Sequence, residues 1–294
     1  MRSVLITGGT GFLGRGLVRE LMARGTERIC IFSRDEAKQA VMRAEINDPE
    51  QRLHWFIGTV RDRDRLVRAM HGVDTVIHAA ALKRLEVGEY NPGEMVKTNV
   101  LGTMNVIEAA IDAKVKRVVG VSSDKACQPF NAYGASKLMM EKLVLGANNT
   151  RGRDGPLYSV CRYGNVAGST GSVIPTWRAA LKEGKGNIRI TEPDATRFWM
   201  TIDQAVALVL GVAQGSPGGV LYVPGMDRDG LHIPQLPAYR LGDLARAMDL
   251  PRPIHVTGLG PGEKLHERML EDGPDSSQVR RMTIDELREG LAKL

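Results

Sequence analysis

The sequence has little of what several classes of protein need. It contains three cysteines, and Cys30, Cys127 and Cys161 have neither an even number nor the close spacing of a metal-binding motif. The six histidines form no ligand cluster either, so we expect no metal site. An odd number of scattered cysteines is typical of thiols that stay reduced in the cytoplasm.

Long apolar runs are also missing, since none approaches the ~18–20 residues that a membrane-spanning helix needs. The first predicted strand begins near Ser3, which leaves no room for a signal peptide. Aromatic residues make up 5% of the chain, and its lysines and arginines are scattered although the net charge is +6. A nucleic-acid-binding surface would cluster them. We therefore expect neither a membrane nor a nucleic acid as partner, and the charge fits an enzyme that attracts an anionic cofactor and substrate.

What the chain does have, up to about Val121, is a regular alternation of apolar strands and amphipathic helices. Such alternation predicts an α/β fold, a Rossmann-like doubly wound parallel sheet with helices on both faces. A further helix and strand follow. The predicted strands are Val4–Thr7, Ile29–Phe32, Leu53–Ile57, Thr75–Ala79, Arg117–Val121 and Tyr158–Arg162, and the helices are Phe12–Ala23, Asp35–Ile46, Asp62–Met70, Glu94–Ala113 and Ala132–Gly146.

After Gly164 the periodicity weakens, and glycine and proline become frequent. This change predicts two parts: a cofactor-binding domain over residues 1–165 that also carries the catalytic residues, and a smaller substrate-binding region over residues 166–294. Helices are still predicted in the second part at Asp203–Val212, Leu241–Met248 and Ile284–Lys293, with loops at Gly215–Gly219 and Gly225–Pro237.

The segment T-G-G-T-G-F-L-G lies between the first strand and the first helix. It places Gly8, Gly11 and Gly14 where a dinucleotide-binding fingerprint has its glycines. Small residues let the backbone approach a pyrophosphate, which then lies at the N-terminus of the helix. By itself the motif also fits a simple tight turn. Its place between a strand and a helix at the start of the chain favours dinucleotide binding.

The second strand ends in I-F-S-R-D, which bears on the choice of dinucleotide. An NAD enzyme would put a carboxylate where this chain has Ser33, and Arg34 follows. A hydroxyl and a guanidinium suit a 2′-phosphate, and Lys38 adds charge one helical turn later. The sequence therefore favours NADP over NAD, unless Asp35 turns inward and reverses the preference.

The fourth strand closes with small residues, Ala79, Ala80 and Ala81, which fit a backbone that passes close to the cofactor ribose. His78, just before them, is interpreted as a packed core histidine. Asn99, early in the next helix, has two possible roles: it braces the sheet or it orders a water near the active site.

Residues Ser122 to Lys137 read S-S-D-K-A-C-Q-P-F-N-A-Y-G-A-S-K and carry the most chemistry. Tyr133 and Lys137 are one helical turn apart and share a face. A nearby fixed cation can lower the pKa of a phenol by roughly 1–3 units, into a range useful for proton transfer. Asp124 and Lys125 offer a second acid/base pair, which indicates elimination or epimerisation besides hydride transfer. The alternative is an ordinary solvated pair in a turn.

Together these segments resemble the extended short-chain dehydrogenase/reductase superfamily, with Tyr133 and Lys137 as its Y-x-x-x-K pair. More narrowly, the chain resembles the UDP-N-acetylglucosamine 4,6-dehydratases that invert C5 in the pseudaminic acid pathway. The matching blocks run from Gly8 to Glu267 and are G-G-T-G-F-L-G, S-R-D-E-A-K-Q, H-A-A-A-L-K, E-Y-N-P-G-E-M-V-K-T-N, S-S-D-K-A, Y-G-A-S-K, R-Y-G-N-V-A-G-S, T-R-F-W-M-T and P-G-E-K-L-H-E.

The resemblance implies a role for each catalytic residue. Tyr133 would take the C4 hydroxyl proton while the C4 hydride passes to NADP. Lys125 would then remove the C5 proton, and Asp124 would protonate the departing C6 hydroxyl. Hydride returns to C6 and C5 is reprotonated, on the opposite face if the enzyme inverts, which gives a 4-keto-6-deoxy sugar nucleotide. Ser123 would hydrogen-bond the substrate near C4.

The motifs and the resemblance together predict two sets of contacts. The cofactor contacts are Gly8, Thr10, Gly11, Phe12, Leu13, Gly14, Ser33, Arg34, Lys38, Asp62, Ala79, Ala80, Ala81, Asn99, Ser122, Tyr133, Lys137, Tyr163 and Val166. The substrate contacts are Lys83, Asn165, Ser169, Thr191, Arg197 and Glu263. Phe198, Trp177 and Trp199 are interpreted as packing residues. Lys264, His266 and Glu267 either fix a loop or take part in the chemistry.

The chain also departs from the family pattern. Thr170 and Gly260 stand where the resemblance implies phosphate-binding arginines. Their absence indicates a different nucleotide, fewer phosphates or other charges in their place; the candidates for such charges are Arg178, Arg189 and Arg197. Thr59 replaces an Asp near the adenine, although Asp62 remains. The competing functions are a nucleotide-sugar epimerase or keto-reductase, which does not need Asp124 or Lys125, and a non-catalytic nucleotide-binding regulator. The resemblance also implies a homo-oligomer, a dimer or hexamer.

Overall fold

The computed structural model describes residues 1–184, 188–250 and 254–294. Its centre is a seven-stranded parallel sheet in the order β3-β2-β1-β4-β5-β6-β9. The strands are β1 (Ser3–Thr7), β2 (Arg28–Ser33), β3 (Leu53–Ile57), β4 (Thr75–His78), β5 (Arg117–Val121), β6 (Leu157–Cys161), β7 (Arg189–Ile190), β8 (Thr196–Phe198), β9 (Leu221–Tyr222), β10 (Asp227–Arg228), β11 (Leu231–His232), β12 (Ala238–Arg240) and β13 (His255–Val256).

Helices cover both faces of this sheet, because its inner strands are apolar on both sides. In β1, Val4 and Ile6 pack into one hydrophobic layer and Leu5 packs into the other. The helices are α1 (Phe12–Ala23), α2 (Glu36–Glu45), α3 (Arg63–Met70), α4 (Leu85–Tyr90), α5 (Pro92–Met95), α6 (Gly102–Asp112), α7 (Ala132–Thr150), α8 (Val173–Lys182), α9 (Ile202–Gly215), α10 (Leu241–Ala247) and α11 (Ile284–Ala292). The predicted Rossmann-like, doubly wound α/β fold is confirmed.

The segment predicted as one helix from Glu94 to Ala113 is more complex. Pro92 starts α5, a π-helical stretch Val96–Leu101 follows, and α6 continues the same helix. The wider turn is stabilised where the Thr103 hydroxyl donates to the Asn99 carbonyl at 2.6 Å. Hydrophobic periodicity does not distinguish a π turn from an α turn, so the prediction gave a uniform helix.

The part of the chain after Gly164 has its own small core. Trp177 and Trp199 are buried there, and Trp199 packs edge-on against Tyr239 at 5.6 Å between ring centroids. With Phe198 also buried, the predicted packing role of these aromatic residues is confirmed. The chain then returns to the large sheet, since α9 packs on α1 and β9 pairs with β6.

Two details of this later part differ from the prediction, and a third agrees with it. The sequence analysis missed α8. The stretch predicted as a loop from Gly225 to Pro237 contains a short antiparallel hairpin of β10 and β11. The C-terminal helix is present and begins with a capping box between Thr283 and Glu286. Among the described residues, no helix combines the length and the apolarity that crossing a membrane requires.

Candidate active site

The glycine-rich turn after β1 lies against the end of β4. Gly8 has φ +70°, and a Cβ atom added to it would lie 3.0 Å from the Ala80 Cα atom. The Ala80 amide donates to the Thr7 hydroxyl at 3.2 Å, and the Gly11 amide closes the turn on the Gly8 carbonyl at 2.8 Å. A side chain at residue 8 would both strain the backbone and clash. The turn therefore fits the close backbone approach that a dinucleotide pyrophosphate needs.

The hydroxyl of Ser33, at the end of β2, is held facing this turn. The Thr10 hydroxyl donates to it at 3.1 Å, and the Gln39 amide donates to both the Ser33 carbonyl and its hydroxyl, at 3.2 and 3.3 Å. Gln39 also reaches the Phe56 carbonyl at 2.9 Å, which connects β2, α2 and β3. The sequence analysis did not single out Gln39; its position, six residues after the end of the strand, was the available signal.

The charges that follow Ser33 are arranged as a helix cap. The Asp35 carboxylate accepts from the Lys38 amide at 2.9 Å and pairs with the Lys38 ammonium at 3.2 Å. Asp35 therefore caps α2, and its carboxylate forms an ion pair with Lys38. Arg34 is exposed. Asp62 plays the same capping part for α3, accepting from the Arg65 amide at 3.0 Å.

Two residues near the cofactor turn have structural partners. His78 is fully buried between the hydroxyls of Thr7 and Thr103, at 2.8 and 3.0 Å, and burial together with Lys137 lowers its pKa to about 3. Its interpretation as a packed core histidine is confirmed. Asn99 bonds both the amide and the carbonyl of Leu82, each at 2.9 Å, and donates to the Ser136 hydroxyl. Of the two roles left open for Asn99, the structure shows the brace.

The Asp124–Lys125 pair lies inside the protein. Ser123 caps a 3₁₀ turn, Asp124–Ala126, directly after β5. The Asp124 side chain is completely buried, so the pair is not a solvated one. The Lys125 Nζ donates to Asp124 Oδ1 at 2.9 Å and to Asn165 Oδ1 at 3.2 Å. The other carboxylate oxygen of Asp124, Oδ2, is buried without a hydrogen-bond partner.

A third charged residue joins this pair. Glu267 Oε1 lies 3.2 Å from the Lys125 Nζ, and its Oε2 is also buried without a partner. Burial lowers the pKa of Lys125, but the carboxylates of Asp124 and Glu267 outweigh burial, so that the pKa is raised overall. Glu267 was missing from the predicted contacts; the signal was its place in the motif P-G-E-K-L-H-E.

The other two residues of that motif fix loops. The Lys264 ammonium donates to the Cys127 carbonyl at 2.8 Å, and His266 Nδ1 hydrogen-bonds the Thr196 hydroxyl at 2.8 Å. Lys264 therefore connects the motif to the loop that follows Lys125. For Lys264 and His266 the structure shows the loop-fixing alternative.

Tyr133 and Lys137 are buried on the first turns of α7, on the face predicted for them. Asn131 caps this helix by accepting from the Gly134 amide at 2.6 Å. A Cβ atom at residue 134 would lie 2.2 Å from the Lys125 carbonyl oxygen, so the glycine lets α7 pack directly on the 3₁₀ turn. The packing brings the phenol of Tyr133 to the Asp124–Lys125 pair.

The protonation of these two groups differs from the expectation. Burial raises the pKa of Tyr133 to about 12, and the opposing influences are Lys125 and a hydrogen bond with Ser123 rather than Lys137. The Lys137 ammonium instead donates to the Val121 carbonyl at 2.5 Å. Burial lowers the pKa of Lys137 to about 8, against the attraction of Glu141. The expected lowering of the Tyr133 pKa by Lys137 was wrong for the protein in this structure.

A second buried ion pair, Arg162–Glu141, binds Ser122, the residue that follows β5. Arg162 Nε and Nη2 donate to the two carboxylate oxygens of Glu141 at 2.9 and 2.6 Å, and the Ser122 hydroxyl donates to Glu141 Oε1 at 2.5 Å. Arg162 Nη1 donates to the Met269 carbonyl at 2.6 Å. Sequence analysis missed this pair because its members are 21 residues apart, on α7 and after β6.

The residues predicted to contact substrate lie on several segments of the chain, and contacts with the Asp124–Lys125 centre are seen for Asn165 and Arg197. Asn165 is bound to Lys125, and Arg197 donates to the Thr196 and Leu265 carbonyls at 2.8 and 3.1 Å. Glu263 accepts from the Gly260 amide at 3.0 Å, within its own turn. Of the other predicted substrate contacts, Lys83 is exposed, and Ser169 and Thr191 are half-buried. The predicted cofactor contacts Tyr163 and Val166 are buried.

Three arginines were candidates to replace the phosphate-binding arginines that this chain lacks, and their surroundings differ. Arg178 donates to the Leu291 carbonyl at 2.7 Å, which commits it to α11, and Arg189 is exposed on β7. Arg197 lies close enough to Lys125 to disfavour its charged form. Thr170 is exposed. Of the three candidates, Arg197 is therefore the cation nearest to the Asp124–Lys125 pair.

Comparisons with known proteins agree with this arrangement. The family described as "Polysaccharide biosynthesis protein" matches residues 4–287. The chain is 42% identical over 270 residues to a Campylobacter jejuni UDP-N-acetylglucosamine 4,6-dehydratase (inverting), covering 92% of this chain and 77% of the relative. It is 40% identical over 277 residues to a Rickettsia conorii UDP-glucose 4-epimerase, with the same two coverages.

Among solved structures, Pen from Bacillus thuringiensis superposes with a TM-score of 0.92 at 32% identity, covering 100% of this chain and 98% of that one. The dTDP-glucose 4,6-dehydratase DesIV from Streptomyces venezuelae, with NAD and TYD bound, superposes with a TM-score of 0.80 at 23% identity, over 99% and 96% of the two chains. The second likeness shows the fold alone. On the family match and the identity to its relatives, the chain belongs to the polysaccharide biosynthesis protein family of extended short-chain dehydrogenases/reductases.

Proposed function

We propose that the protein is a nucleotide-sugar 4,6-dehydratase that acts on UDP-N-acetylglucosamine or a related nucleotide-linked hexose. The observation that carries the proposal is the buried Asp124–Lys125 ion pair beside Tyr133. An oxidoreductase or epimerase needs a phenol and a cofactor, but it does not need a second buried acid/base pair. The Campylobacter dehydratase, at 42% identity, supports the same chemistry and the same substrate.

A bound nicotinamide dinucleotide would take up the C4 hydride and later return it to C6. Within this chain, the buried Tyr133 must first lose its own proton to solvent, which the positive charge of Lys125 and the hydrogen bond with Ser123 favour. The phenolate then accepts the proton of the C4 hydroxyl, and Ser123 orients that hydroxyl. Lys137, one turn along α7, supplies positive charge near the sugar and the ribose. A ketone at C4 acidifies the C5–H bond, which prepares the substrate for elimination.

The elimination needs a base and an acid at once, and the ion pair offers both through one internal proton transfer. In the charged pair neither group has the required form. Moving a proton over the 2.9 Å from Lys125 Nζ to Asp124 Oδ1 gives a neutral amine and a carboxylic acid. The amine then takes the C5 proton, and the acid gives its proton to the C6 hydroxyl, which leaves as water. The pair ends as ammonium and carboxylate, so its proton count is unchanged.

We also propose NADP, in preference to NAD, as the cofactor. Ser33 offers a hydroxyl without negative charge, and the carboxylate of Asp35 is paired with the Lys38 ammonium. Arg34 is available for a 2′-phosphate. Replacing Ser33 with Asp should reverse the preference, since a charged contact contributes roughly 1.5–3 kcal/mol. Calorimetric titration of the wild type and of Ser33→Asp with NADP and with NAD measures the change in preference.

The function is tested with substrate deuterated at C4. A dehydratase transfers the label to C6 of the product and incorporates one solvent deuterium at C5. Mass spectrometry after incubation with UDP-, GDP-, CMP- and dTDP-sugars also identifies the nucleotide, and NMR of the product decides whether C5 is inverted. Label that stays at C4, without loss of water, contradicts the proposal and favours the epimerase function that the Rickettsia relative carries in its name.

We further propose that residues 166–294 bind the substrate and that the protein acts in the cytoplasm.

We also propose that the protein is a homo-oligomer, a dimer or hexamer. Val96, Leu101 and Met104, on the helix that ends with α6, and Met139 on the adjacent α7 are exposed apolar side chains. A second copy of the chain would cover them. Analytical ultracentrifugation of the wild type and of Met104→Glu tests this: a loss of association supports the assignment, and an unchanged mass contradicts it.

A further inference from the structure

Residues 262–269, which we call the strap, cross over the catalytic segment and are fixed at several points. The Lys264 ammonium donates to the Cys127 carbonyl, and the Thr196 amide donates to the Leu265 carbonyl at 2.9 Å. Arg162 binds the Met269 carbonyl, and the Glu267 amide donates to the Ser276 hydroxyl at 2.9 Å. The backbone of the strap is therefore held independently of the Glu267 side chain.

The Glu267 side chain points inward from this strap, and only 3% of the residue is exposed. Within the part of the chain that the structure describes, its one ionic contact is Lys125, and one of its oxygens has no hydrogen-bond partner. Burying a carboxylate that is only half satisfied is unfavourable, and an apolar residue would cover the segment more cheaply. The strap does not need this carboxylate for its own attachment, which points to a role through Lys125.

The hydrogen bonds of Lys125 make that role specific. An ammonium has three N–H donors. In this structure Nζ donates to Asp124 and Asn165 and lies 3.2 Å from the Glu267 carboxylate, and these three contacts fix its orientation. Arg197 on β8, Tyr133 on α7 and Tyr239 on β12 are the other titratable groups coupled to this centre. Glu267 and Asp124 are thus its two counter-charges.

In the elimination these two counter-charges behave differently. When Asp124 carries the proton meant for the C6 hydroxyl, it is neutral and does not attract an ammonium. Lys125 becomes positive when it takes the C5 proton. At that moment Glu267 is the carboxylate that is still charged and already at 3.2 Å. An opposite charge fixed in a site with little water stabilises a charge that develops there.

We propose that Glu267 is a positioning residue for the elimination step, acting through Lys125. The inference rests on the proposed dehydratase function. Glu267 holds Nζ in place and provides the constant negative charge while Asp124 changes its own. It is not required for C4 oxidation, which depends on Tyr133 and the cofactor. Removing the Glu267 charge should therefore slow the elimination step and leave the rate of C4 oxidation nearly unchanged.

The test compares Glu267→Gln, Glu267→Asp and the control Glu271→Gln in single turnovers. Glu271 is exposed and lies four residues along the chain; its carbonyl oxygen accepts from Arg268, and its carboxylate has a minor electrostatic influence on Arg162 and Cys127. C4 oxidation is followed by the absorbance of the reduced nicotinamide, and C5 proton removal by solvent deuterium incorporation. In Glu267→Gln we expect C4 oxidation within about threefold of the wild type and C5 exchange slowed on the order of 100-fold. The control should match the wild type.

Three results overturn the inference. Equal slowing of both half-reactions would give Glu267 a merely structural role, and an unchanged C5 exchange would give it none. Glu267→Asp keeps the carboxylate, so it should recover part of the exchange rate even if Glu267→Gln is poorly folded; no recovery in a folded Glu267→Asp contradicts the proposal. A wild-type protein that oxidises C4 but never releases water overturns the dehydratase function itself.

Discussion

Residues 1–184, 188–250 and 254–294 contain two buried ionic clusters within a few residues of each other, and the hydrogen-bonding groups of the two are satisfied to very different degrees. In the first, Glu141 uses both oxygens on Arg162 and a third bond joins Ser122. In the second, Asp124 and Glu267 surround Lys125, yet each keeps a buried oxygen without a partner. Both clusters carry the desolvation cost of buried charge. The saturated one is suited to holding structure, while the unsaturated one keeps acceptors free for a substrate.

We expect the largest effect from a variant that disrupts the unsaturated cluster. Asp124→Asn removes the group proposed to protonate the C6 hydroxyl, so we expect kcat to fall roughly 100- to 10,000-fold. The free energy of unfolding should change by less than about 1 kcal/mol, because Glu267 still pairs with Lys125 and a buried unpartnered oxygen loses its charge. Steady-state kinetics and urea unfolding of the same preparations measure both quantities. A stability loss as large as the kinetic loss would contradict the distinction between the clusters.

The saturated cluster should respond in the opposite way. Glu141→Met leaves the Arg162 charge buried without its carboxylate, which should lower the free energy of unfolding by about 3–5 kcal/mol. The double variant Glu141→Met/Arg162→Met should regain most of that loss, since a well-packed apolar pair can replace a buried ion pair. Urea unfolding of the wild type, both single variants and the double variant forms a complete cycle. A double variant as unstable as the single one would indicate a role other than pairing.

How far the sequence predicts this comparison depends on distance along the chain. Asp124, Lys125, Tyr133 and Lys137 lie within one strand–turn–helix unit, so local spacing was enough to group them. Glu267 reaches the same site only because the strap folds back over 140 residues, and single-sequence periodicity carries no information about such a contact. The same limit hid Glu141 with Arg162.

The fold itself was predictable because local patterns determine it. The predicted limits of β3, β5 and α1 agree with the structure. The strands coincide with short apolar runs, and α1 begins directly after a glycine. The errors fall where tertiary contacts decide: the π turn near Asn99 and the short strands after Gly164. The protonation of Tyr133 was also wrong in direction, because burial, which the sequence does not show, outweighs the nearby cations.

Lys137 is attracted by Glu141 of the saturated cluster and provides a test by pH. Burial lowers its pKa from 10.5 to about 8, with Glu141 opposing. Between these pH values the unfolded chain binds more protons than the folded one, so the free energy of unfolding should rise as the pH increases from about 8 towards 10.5. The gain should be on the order of 3 kcal/mol and absent in Lys137→Met. Urea unfolding of both proteins below pH 8 and near pH 10 measures it, and parallel curves would contradict it.

The smallest expected effect tests how redundant the saturated cluster is. Ser122→Ala removes the hydroxyl that donates to Glu141 Oε1, but Arg162 Nε still donates to the same oxygen at 2.9 Å. No buried acceptor is left without a partner, so the loss should be about 1 kcal/mol, the net value of one hydrogen bond. Urea unfolding against Glu141→Met measures the difference. A loss as large as that of Glu141→Met would mean that Glu141 depends on all of its partners at once, and saturation would then be fragile rather than redundant.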